Sequence, residues 1–227
     1  MTEQNAVRSI AVLGGTGKEG KGLAYRWARA GYQVIIGSRS AEKANLAAQE
    51  INNLLGSEGA VVGMENPQAA QSADLLVLTV PFSAHKDTLI ALREYMQGKI
   101  LVDVTVPLVP PKVSKVQMPP AGSAAQEAQE ILGPEVQVVA AFQNISYEHL
   151  LHDEPVDCDV LVCGVGRQAR AVVLELVAAA GLTGWDAGPI ENSVVVEGMT
   201  SVLIGINKQY GVQSAGIKIT GVDRAER

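Results

Sequence analysis

A group of glycines at the end of a short apolar run constrains this chain more than any other feature. Residues 10–13 are apolar, and Gly15-x-Gly17-x-x-Gly20 follows almost at once. In a dinucleotide-binding loop the first glycine allows a tight turn, the second lets the backbone approach a pyrophosphate, and the third lets the helix pack on its strand. Residues 18–30 have the apolar spacing of a helix, which Gly31 ends. We predict a dinucleotide-binding loop; the alternative is a glycine turn with a structural role only.

The alternation of short apolar runs with helical patterns indicates the fold class. With 227 residues, 47% of them hydrophobic, the chain is long enough for one sizeable domain and an appendage. We predict an α/β fold with a doubly wound, mostly parallel Rossmann-type sheet. The predicted strands are residues 10–13, 33–36, 60–63, 74–81, 99–103, 136–142, 159–164 and 183–188. The predicted helices are 18–30, 41–55, 67–72 with Asn66 as its cap, 83–95, 123–132, 167–180 and 192–210.

Charge and apolar run lengths exclude two classes of partner. The net charge is −6 and lysines and arginines do not cluster, whereas a nucleic-acid surface needs a basic stripe. No apolar run approaches the roughly 18 residues of a membrane span, and the first eight residues are polar. We therefore expect a cytoplasmic protein that binds neither nucleic acid nor membrane. Cys158 and Cys163 are expected to be reduced side chains in or near the core.

Cationic residues follow the second predicted strand, where the cofactor's ribose would lie. The NAD version of this fold has a carboxylate there, about 20 residues beyond the glycine loop. This chain has Ser38 and Arg39 instead, with Lys43 one helical turn further. A guanidinium donates paired hydrogen bonds to phosphate oxygens, and a lysine adds a second positive charge. The pattern favours NADP over NAD; the alternative is an ordinary solvated helix start.

Three segments follow strand ends, where ligands bind in this architecture. Val80, Pro81 and Phe82 should lie beside the cofactor, although Pro81 could simply end its strand. The proline-rich loop 104–111 is either a lid over a ligand or an extended connection. Gln143, Asn144 and Ser146 could direct polar groups at a ligand or could only form a turn.

Histidines offer weak candidates for acid–base or metal chemistry. His85, at the start of a helix, could titrate near neutral pH, but we expect it to be exposed and without a catalytic role. His149 and His152 are three residues apart, yet no further ligand completes a metal site. We predict neither a catalytic dyad nor a bound metal.

The C-terminal part has a different pattern. We predict a Rossmann-like domain over residues 1–188 and a small helical segment over 189–227. Helix 192–210 is too apolar to be exposed alone, so it must pack on a second subunit or on the open face of the site. A homodimer is the commonest way to bury such a face.

Taken together, these residues resemble a known family. The sequence motifs that carry the resemblance are Leu13-Gly-Gly-Thr-Gly-Lys-Glu-Gly-Lys-Gly22, Gly37-Ser-Arg39 with Glu42-Lys43, Leu78-Thr-Val-Pro81, Val106-Pro107, Asp186-Ala-Gly-Pro189 and Gly216-Ile-Lys-Ile219. In order and spacing, over nearly the entire chain, they resemble the NADPH-dependent reductases of coenzyme F420, an 8-hydroxy-5-deazaflavin.

The resemblance implies hydride transfer between C4 of the nicotinamide and C5 of the deazaflavin, without a protein acid or base. It implies that Gly15, Thr16, Gly17, Lys18 and Glu19 form the pyrophosphate loop, and that Ser38, Arg39 and Lys43 hold the 2′-phosphate. Val80, Pro81, Val106, Pro107 and Ile145 would form an apolar rim. Asn144 and Ile145 would help place the two rings, and the C-terminal segment would complete the deazaflavin site.

Two other functions remain open at the level of sequence. An NADP-dependent dehydrogenase of a small imine, ketone or hydroxyacid would need a proton donor beside the nicotinamide and a larger helical domain. A non-catalytic NADP sensor would bind the cofactor without turnover.

Overall fold

The predicted apolar runs form one sheet. The structure, a computed structural model, describes residues 7–152 and 154–222. The start of the predicted Rossmann-like domain, residues 1–6, and the end of the predicted C-terminal segment, residues 223–227, lie outside these ranges. The described strands are β1 (Ser9–Leu13), β2 (Gln33–Ser38), β3 (Val61–Glu65), β4 (Leu75–Leu78), β5 (Ile100–Asp103), β6 (Gln137–Ala140), β7 (Asp159–Gly164) and β8 (Thr183–Gly188). They form an eight-stranded sheet in the order β3-β2-β1-β4-β5-β6-β7-β8. The pairing of β6 with β7 is antiparallel, and the other six pairings are parallel.

Helices cover both faces of this sheet. They are α1 (Lys18–Arg29), α2 (Ala41–Leu55), α3 (Asn66–Ser72), α4 (Phe82–Met96), α5 (Ala124–Leu132), α6 (Arg167–Ala179) and α7 (Ser193–Tyr210). In β1, Ile10 and Val12 belong to one buried apolar cluster, and Ala11 and Leu13 belong to the other. Side chains of a strand alternate between faces, so a strand buried on both sides must be continuously apolar. The doubly wound fold class predicted from the sequence is confirmed.

The turn between β1 and α1 lies where the strand order reverses. β2 and β3 extend to one side of β1, whereas β4, β5 and β6 extend to the other. The loops at the carboxyl ends of β1 and β4 therefore diverge and leave a crevice between them, which is the ligand position in open α/β sheets.

Asn66 does not cap α3 as predicted. The helix includes Asn66 and is preceded by Glu65, which makes no side-chain capping bond. The side-chain oxygen Oδ1 of Asn66 instead accepts a hydrogen bond from the backbone N–H of Gly14, at 3.2 Å. This long-range bond attaches the start of α3 to the glycine loop, and a local capping pattern could not reveal it.

His85 is not exposed as predicted. Its side chain, in the first turn of α4, is completely buried. Nε2 lies 2.7 Å from Oδ2 of Asp103, and Nδ1 lies 3.2 Å from Oε1 of Glu127. The carboxylates come from the end of β5 and from α5, so the environment of His85 depends on contacts distant in sequence.

The C-terminal part packs on the sheet and on α5. Val196 and Leu203 of α7 are buried, and the chain after α7 returns to β7, where the N–H of Asp159 donates to the carbonyl of Ile217 at 2.8 Å. A Cβ on Gly216 would lie 2.6 Å from Sγ of Cys158, which explains the glycine at the start of the motif Gly216-Ile-Lys-Ile219. Both thiols, Cys158 and Cys163, are buried and free. The division at residue 188 stays a prediction.

None of the helices within 7–152 and 154–222 combines the length and the apolarity that crossing a bilayer requires.

Candidate functional site

The glycines of the loop have different structural roles. A Cβ on Gly15 would lie 2.6 Å from the carbonyl oxygen of Val12, and a Cβ on Gly20 would lie 2.6 Å from Cα of Gly15. These two positions allow α1 to approach β1 closely. Gly17 has no heavy atom within 4 Å of a Cβ position, and it precedes the first residue of α1 without a capping side chain. The N–H groups and positive dipole end of α1 therefore face open space.

A cavity of about 630 Å³ opens above this loop. We call it the glycine-loop cavity. It is lined by Gly14, Thr16, Gly17, Ser38, Arg39, Ser40, Lys43, Asn66, Thr79, Val80, Pro81, Ala84 and Thr88. It brings together seven of the predicted site residues, namely Thr16, Gly17, Ser38, Arg39, Lys43, Val80 and Pro81. Gly15 is buried beneath it and does not line it.

Two cations at one end of this cavity have no acidic partner among the residues that the structure describes. Arg39 is exposed, and neither Arg39 nor Lys43 forms an ion pair with any residue of the described ranges. Ser38 is buried at the end of β2, where its Oγ accepts from the N–H of Ser40. Ser40 in turn caps α2 by accepting from the N–H of Lys43 at 3.4 Å. The free charges and helix N-termini suit phosphate groups.

A neighbouring cavity of about 570 Å³ shares five lining residues with the glycine-loop cavity, namely Ser38, Arg39, Asn66, Ala84 and Thr88. It extends between α3 and α4 and has acidic residues, Glu65 and Asp87, in its lining. Arg39 thus lies where the two spaces meet.

A third cavity, of about 350 Å³, lies beyond the carboxyl ends of β5 and β6. We call it the Gln143 cavity. Its lining includes three further predicted site residues, Val106, Asn144 and Ile145, together with Glu19. The other lining residues are Val104, Leu108, Phe142, Gln143, Ser146, Tyr147, Thr200, Leu203, Ile204, Asn207, Gln213 and Ala215. Residues of α7 and of the chain after it close this space.

Three predicted site residues lie elsewhere than expected. The Glu19 side chain lines the Gln143 cavity and not the glycine-loop cavity, although its backbone is in the first turn of α1. Lys18 is exposed, and its ammonium lies 4.7 Å above the ring centre of Tyr147. Pro107 is buried and lines neither cavity.

The chain turns sharply before the polar residues of the Gln143 cavity. Phe142 has a φ of 74°, which is strained for a bulky side chain, and its ring packs edge-on against Trp27 at 5.7 Å. Gln143 then donates from Nε2 to the carbonyl of Asp103 at 2.8 Å. Asn144 donates from Nδ2 to the carbonyl of Val196 at 3.0 Å, so the end of β6 is bound to α7.

Burial raises the pKa of the Glu19 carboxyl to about 8, because no hydrogen bond offsets its removal from water. Its Oε1 is shielded from solvent and has no partner in the described ranges. Burial therefore favours the neutral form of this carboxyl.

A network of ionisable groups joins the elements β5, α4, α5 and α7. Asp103, which bonds His85, also accepts from the N–H of Thr105 at 3.0 Å, at the start of the proline-rich loop. Glu197 of α7 accepts from the backbone N–H groups of Ala124 and Ala125, at the N-terminus of α5. Burial raises the pKa of Glu197 to about 8 despite these two bonds. The pKa of His85 is raised by its two carboxylates, which outweigh the opposing effect of burial.

Sequence reasoning missed this network. An acidic residue at a strand end and a histidine at a helix start were visible, but their pairing requires α4 to pack on β5. His149 and His152 contribute backbone carbonyls, which accept from the Arg26 guanidinium. Within the described ranges no group of three or more histidine, cysteine or acidic side chains could hold a metal ion.

Comparison with known proteins gives the family. A family model described as "NADP oxidoreductase coenzyme F420-dependent" matches residues 9–107. The chain is 40% identical to the F420-dependent NADP reductase of Methanocaldococcus jannaschii in an alignment 222 residues long that covers 94% of this chain and 99% of that protein. The chain belongs to the F420-dependent NADP reductase family. The family named by the sequence resemblance is therefore confirmed.

Other members and neighbours agree with this membership. The enzyme of that name from Methanothermobacter thermautotrophicus is 43% identical over 97% of this chain and 98% of its own length. The crystal structure of a putative F420-dependent NADP reductase from Arthrobacter sp. FB24 superposes with a TM-score of 0.78, at 26% identity, over 94% of this chain and 99% of that one. A reductive aminase from Aspergillus terreus has a TM-score of 0.62 at 17% identity, over 91% and 63% of the two chains, and shares the fold alone.

Proposed function

We propose that the protein transfers a hydride between NADP(H) and the deazaflavin coenzyme F420, directly from ring to ring. The observation that carries this proposal is the presence of two chemically different cavities at the strand ends of a family member. The glycine-loop cavity has unpaired cations and a helix N-terminus, whereas the Gln143 cavity is mostly apolar and has uncharged amides. The first suits a dinucleotide and the second suits a neutral planar ring.

On this proposal NADP lies over the glycine loop. Thr16, Gly17 and the backbone N–H groups of Lys18 and Glu19 would contact the pyrophosphate, with Gly15 keeping α1 close to its strand. Ser38, Arg39 and Lys43 would bind the 2′-phosphate, since a guanidinium and an ammonium neutralise it and no carboxylate of the described ranges is paired with them.

The deazaflavin would occupy the Gln143 cavity. Val106 and Ile145 supply apolar surface there, Asn144 supplies an amide, and Pro107 is buried next to Val106 in the chain. Val80 and Pro81 would extend the apolar surface of the glycine-loop cavity toward the Gln143 cavity. Val80 and Thr105 begin the loops after the adjacent strands β4 and β5, and the Thr105 hydroxyl donates to the Val80 carbonyl at 3.4 Å. A hydride passes between two rings held in contact without a protein acid or base, so alignment and exclusion of water are the tasks of these residues.

The test is spectroscopic. NADPH mixed with F420 and the protein should bleach the visible absorbance of the deazaflavin, and NADP should restore it when added to the reduced coenzyme. Absence of bleaching at every pH tried would reject the proposal. Turnover of NADPH with a small imine, ketone or hydroxyacid in place of F420 would support the dehydrogenase. Binding of NADPH without turnover of any acceptor would support the sensor.

The proposal includes a homodimer formed through α7. Apolar side chains on this helix remain exposed although the helix packs on the domain, among them Val195 and Val202. A two-fold pairing would bury them. The cytoplasmic location stays a prediction.

A further inference from the structure

The completely buried ring of His85 has a carboxylate oxygen at each of its two nitrogens. Nε2 lies 2.7 Å from Oδ2 of Asp103, which is itself buried, and Nδ1 lies 3.2 Å from Oε1 of Glu127. A neutral imidazole donates from one nitrogen only, so both contacts are hydrogen bonds when the ring carries two protons. The two oxygens therefore favour an imidazolium that pairs with both carboxylates.

The Asp103 carboxylate links this ring to two loops. Its Oδ2 faces His85, and its Oδ1 accepts from the N–H of Thr105 at 3.0 Å, in the loop after β5. The Thr105 hydroxyl donates to the carbonyl of Val80 at 3.4 Å, in the loop after the adjacent strand β4. A carboxylate that is bonded through both oxygens cannot rotate without breaking one of the bonds. His85 therefore fixes the orientation of a group to which both loops are attached.

His85 also contacts the loop after β4 through an aromatic ring. The rings of Phe82 and His85 are stacked, with 5.9 Å between their centroids and 30° between their planes. Phe82 directly follows Pro81, which lines the glycine-loop cavity. The loop after β4 is thus held from two sides, by the Phe82 ring and by the hydroxyl of Thr105.

The two loops bonded in this way border different cavities. Val80 lines the glycine-loop cavity, whereas Val104 and Val106, on either side of Thr105, line the Gln143 cavity. His85 lines neither, so it cannot exchange a proton with a ring bound in either cavity. The rate of hydride transfer depends steeply on the distance and angle between the two rings. The position of Thr105 relative to Val80 therefore bears on the alignment of the two coenzymes.

We propose that His85, by donating from both ring nitrogens to Asp103 and Glu127, is a positioning residue that holds the loops after β4 and β5 at the spacing hydride transfer requires. This inference rests on the proposed function and adds a residue that acts without touching either coenzyme. A buried carboxylate that loses its donor is strongly disfavoured. Removing the donor should therefore displace the Asp103 carboxylate, and Thr105 with it.

Two variants separate the two bonds of His85. Glutamine can place its amide nitrogen near the position of Nε2, and asparagine near that of Nδ1, so His85→Gln keeps a donor for Asp103 and His85→Asn loses it. Bleaching of the deazaflavin in a single turnover, at saturating NADPH and F420, measures the rate of hydride transfer. We expect His85→Asn to lower this rate about ten- to a hundredfold and His85→Gln to keep it within about threefold. The NADPH affinity of both should stay within about threefold of wild type, since the cations of the glycine-loop cavity are untouched.

Leu89→Val is the control for a loss of stability alone. Leu89 is buried one turn further along α4, and its apolar side chain cannot join the hydrogen-bond network. This variant should lower the urea midpoint and keep the wild-type rate. An unchanged rate in His85→Asn, or equal losses of rate in the two His85 variants, would overturn the inference and leave the proposed function intact. Absence of hydride transfer in wild type would instead reject the proposed function, and this inference with it.

A variant on the other side of Asp103 tests the path from His85 to the loops. Thr105→Val removes the hydroxyl that bonds to the Val80 carbonyl, keeps the size of the side chain, and should lower the single-turnover rate about three- to tenfold. Losses at residues that act through one another do not multiply, so the double variant His85→Asn with Thr105→Val should match His85→Asn alone within about twofold. A double variant slowed by the product of the two single losses would overturn the inference. An unchanged rate in Thr105→Val would also contradict it.

Discussion

Arg39 places an unpaired positive charge at the junction of two cavities. Replacing it by aspartate puts a carboxylate where the 2′-phosphate of NADPH is expected, while the 2′-hydroxyl of NADH can still donate to that carboxylate. We expect Arg39→Asp to weaken NADPH binding about ten- to a hundredfold, the value of a charged hydrogen bond, and to leave NADH binding equal or stronger. Titration of both nucleotides measures this. Arg93→Asp, which makes the same charge change at an exposed position outside these cavities, is the control. An unchanged preference for NADPH over NADH in Arg39→Asp would contradict the assignment.

Gly17 and Gly20 separate the binding and folding roles of the glycine loop. A Cβ at Gly20 would collide with the backbone of Gly15, so Gly20→Ala should lower the free energy of unfolding by about 1 to 3 kcal/mol. A Cβ at Gly17 meets nothing within 4 Å, so Gly17→Ala should change stability by less than about 1 kcal/mol but weaken NADPH binding. Urea unfolding and nucleotide titration of both variants provide the comparison. Equal loss of stability in the two would argue against distinct roles.

At the scale of residues, the sequence predicted the groups whose chemistry follows from local spacing. The glycine positions and the cations after β2 belong to this class, because a turn and a helix start are built from neighbouring residues. The directions of the Glu19 and His85 side chains do not follow from local spacing. Each is determined by elements that meet only in the folded chain, namely the turn after β6 for Glu19 and the end of β5 with α5 for His85.

At the scale of elements, Glu197 joins α7 to the N-terminus of α5. Its pKa is raised from 4.5 to about 8, so between these values the native state binds more protons than the unfolded chain. The free energy of unfolding should therefore fall as pH rises from about 5 to 8. His85 acts in the same direction, since its raised pKa gives stability that is present below pH 6.5 and is lost as the pH rises above that value.

Glu197→Gln tests this effect. The amide cannot ionise, and its one oxygen can accept from only one of the two N–H groups of Ala124 and Ala125, so the variant should be less stable than wild type by about 1 to 3 kcal/mol at pH 5. Its stability should fall less steeply up to pH 8, by at most about 1.4 kcal/mol per pH unit, the contribution of one proton. Urea midpoints measured at several pH values give both slopes. Parallel slopes for wild type and variant would show that Glu197 does not titrate in this range.

Most element bounds could be predicted from periodicity, and strand direction could not. The helix predicted over 41–55 and the strands predicted over 159–164 and 183–188 have the bounds of α2, β7 and β8. Apolar runs and glycine stops are local signals, which explains this agreement. The antiparallel direction of β7 relative to β6 could not be predicted in this way, because an apolar run has the same pattern in either chain direction.

At the scale of the whole molecule, the fold brings two binding spaces to one edge of the sheet. The loops after β1, β2 and β4 form the glycine-loop cavity, and the loops after β5 and β6 form the Gln143 cavity with α7. The order of strands therefore sets which loops meet which ligand. The part after residue 188 supplies a wall of the second cavity and also an outer surface, so occupancy of this cavity and subunit contact would involve the same helix.

The outer surface of α7 is where the proposed dimer can be tested. Val195, Val202, Ile206 and Tyr210 are exposed and recur at a spacing that places them on one side of the helix, and a lone surface helix seldom shows such a stripe. In sedimentation we expect wild type to behave as a particle of about twice 23.8 kDa, with each partner covering the other's stripe.

Charged substitutions should separate the subunits without unfolding them. The double variant Val195→Lys with Val202→Lys places two buried like charges on each side of the two-fold contact, and a charge without a partner is strongly disfavoured there. The variant should sediment at 23.8 kDa and keep its thermal transition. Gln49→Lys with Asn53→Lys, which adds the same charges to the exposed face of α2, should stay dimeric. If the α7 variant also stays dimeric, the subunits must associate through another surface, and the exposed stripe of α7 needs a different explanation.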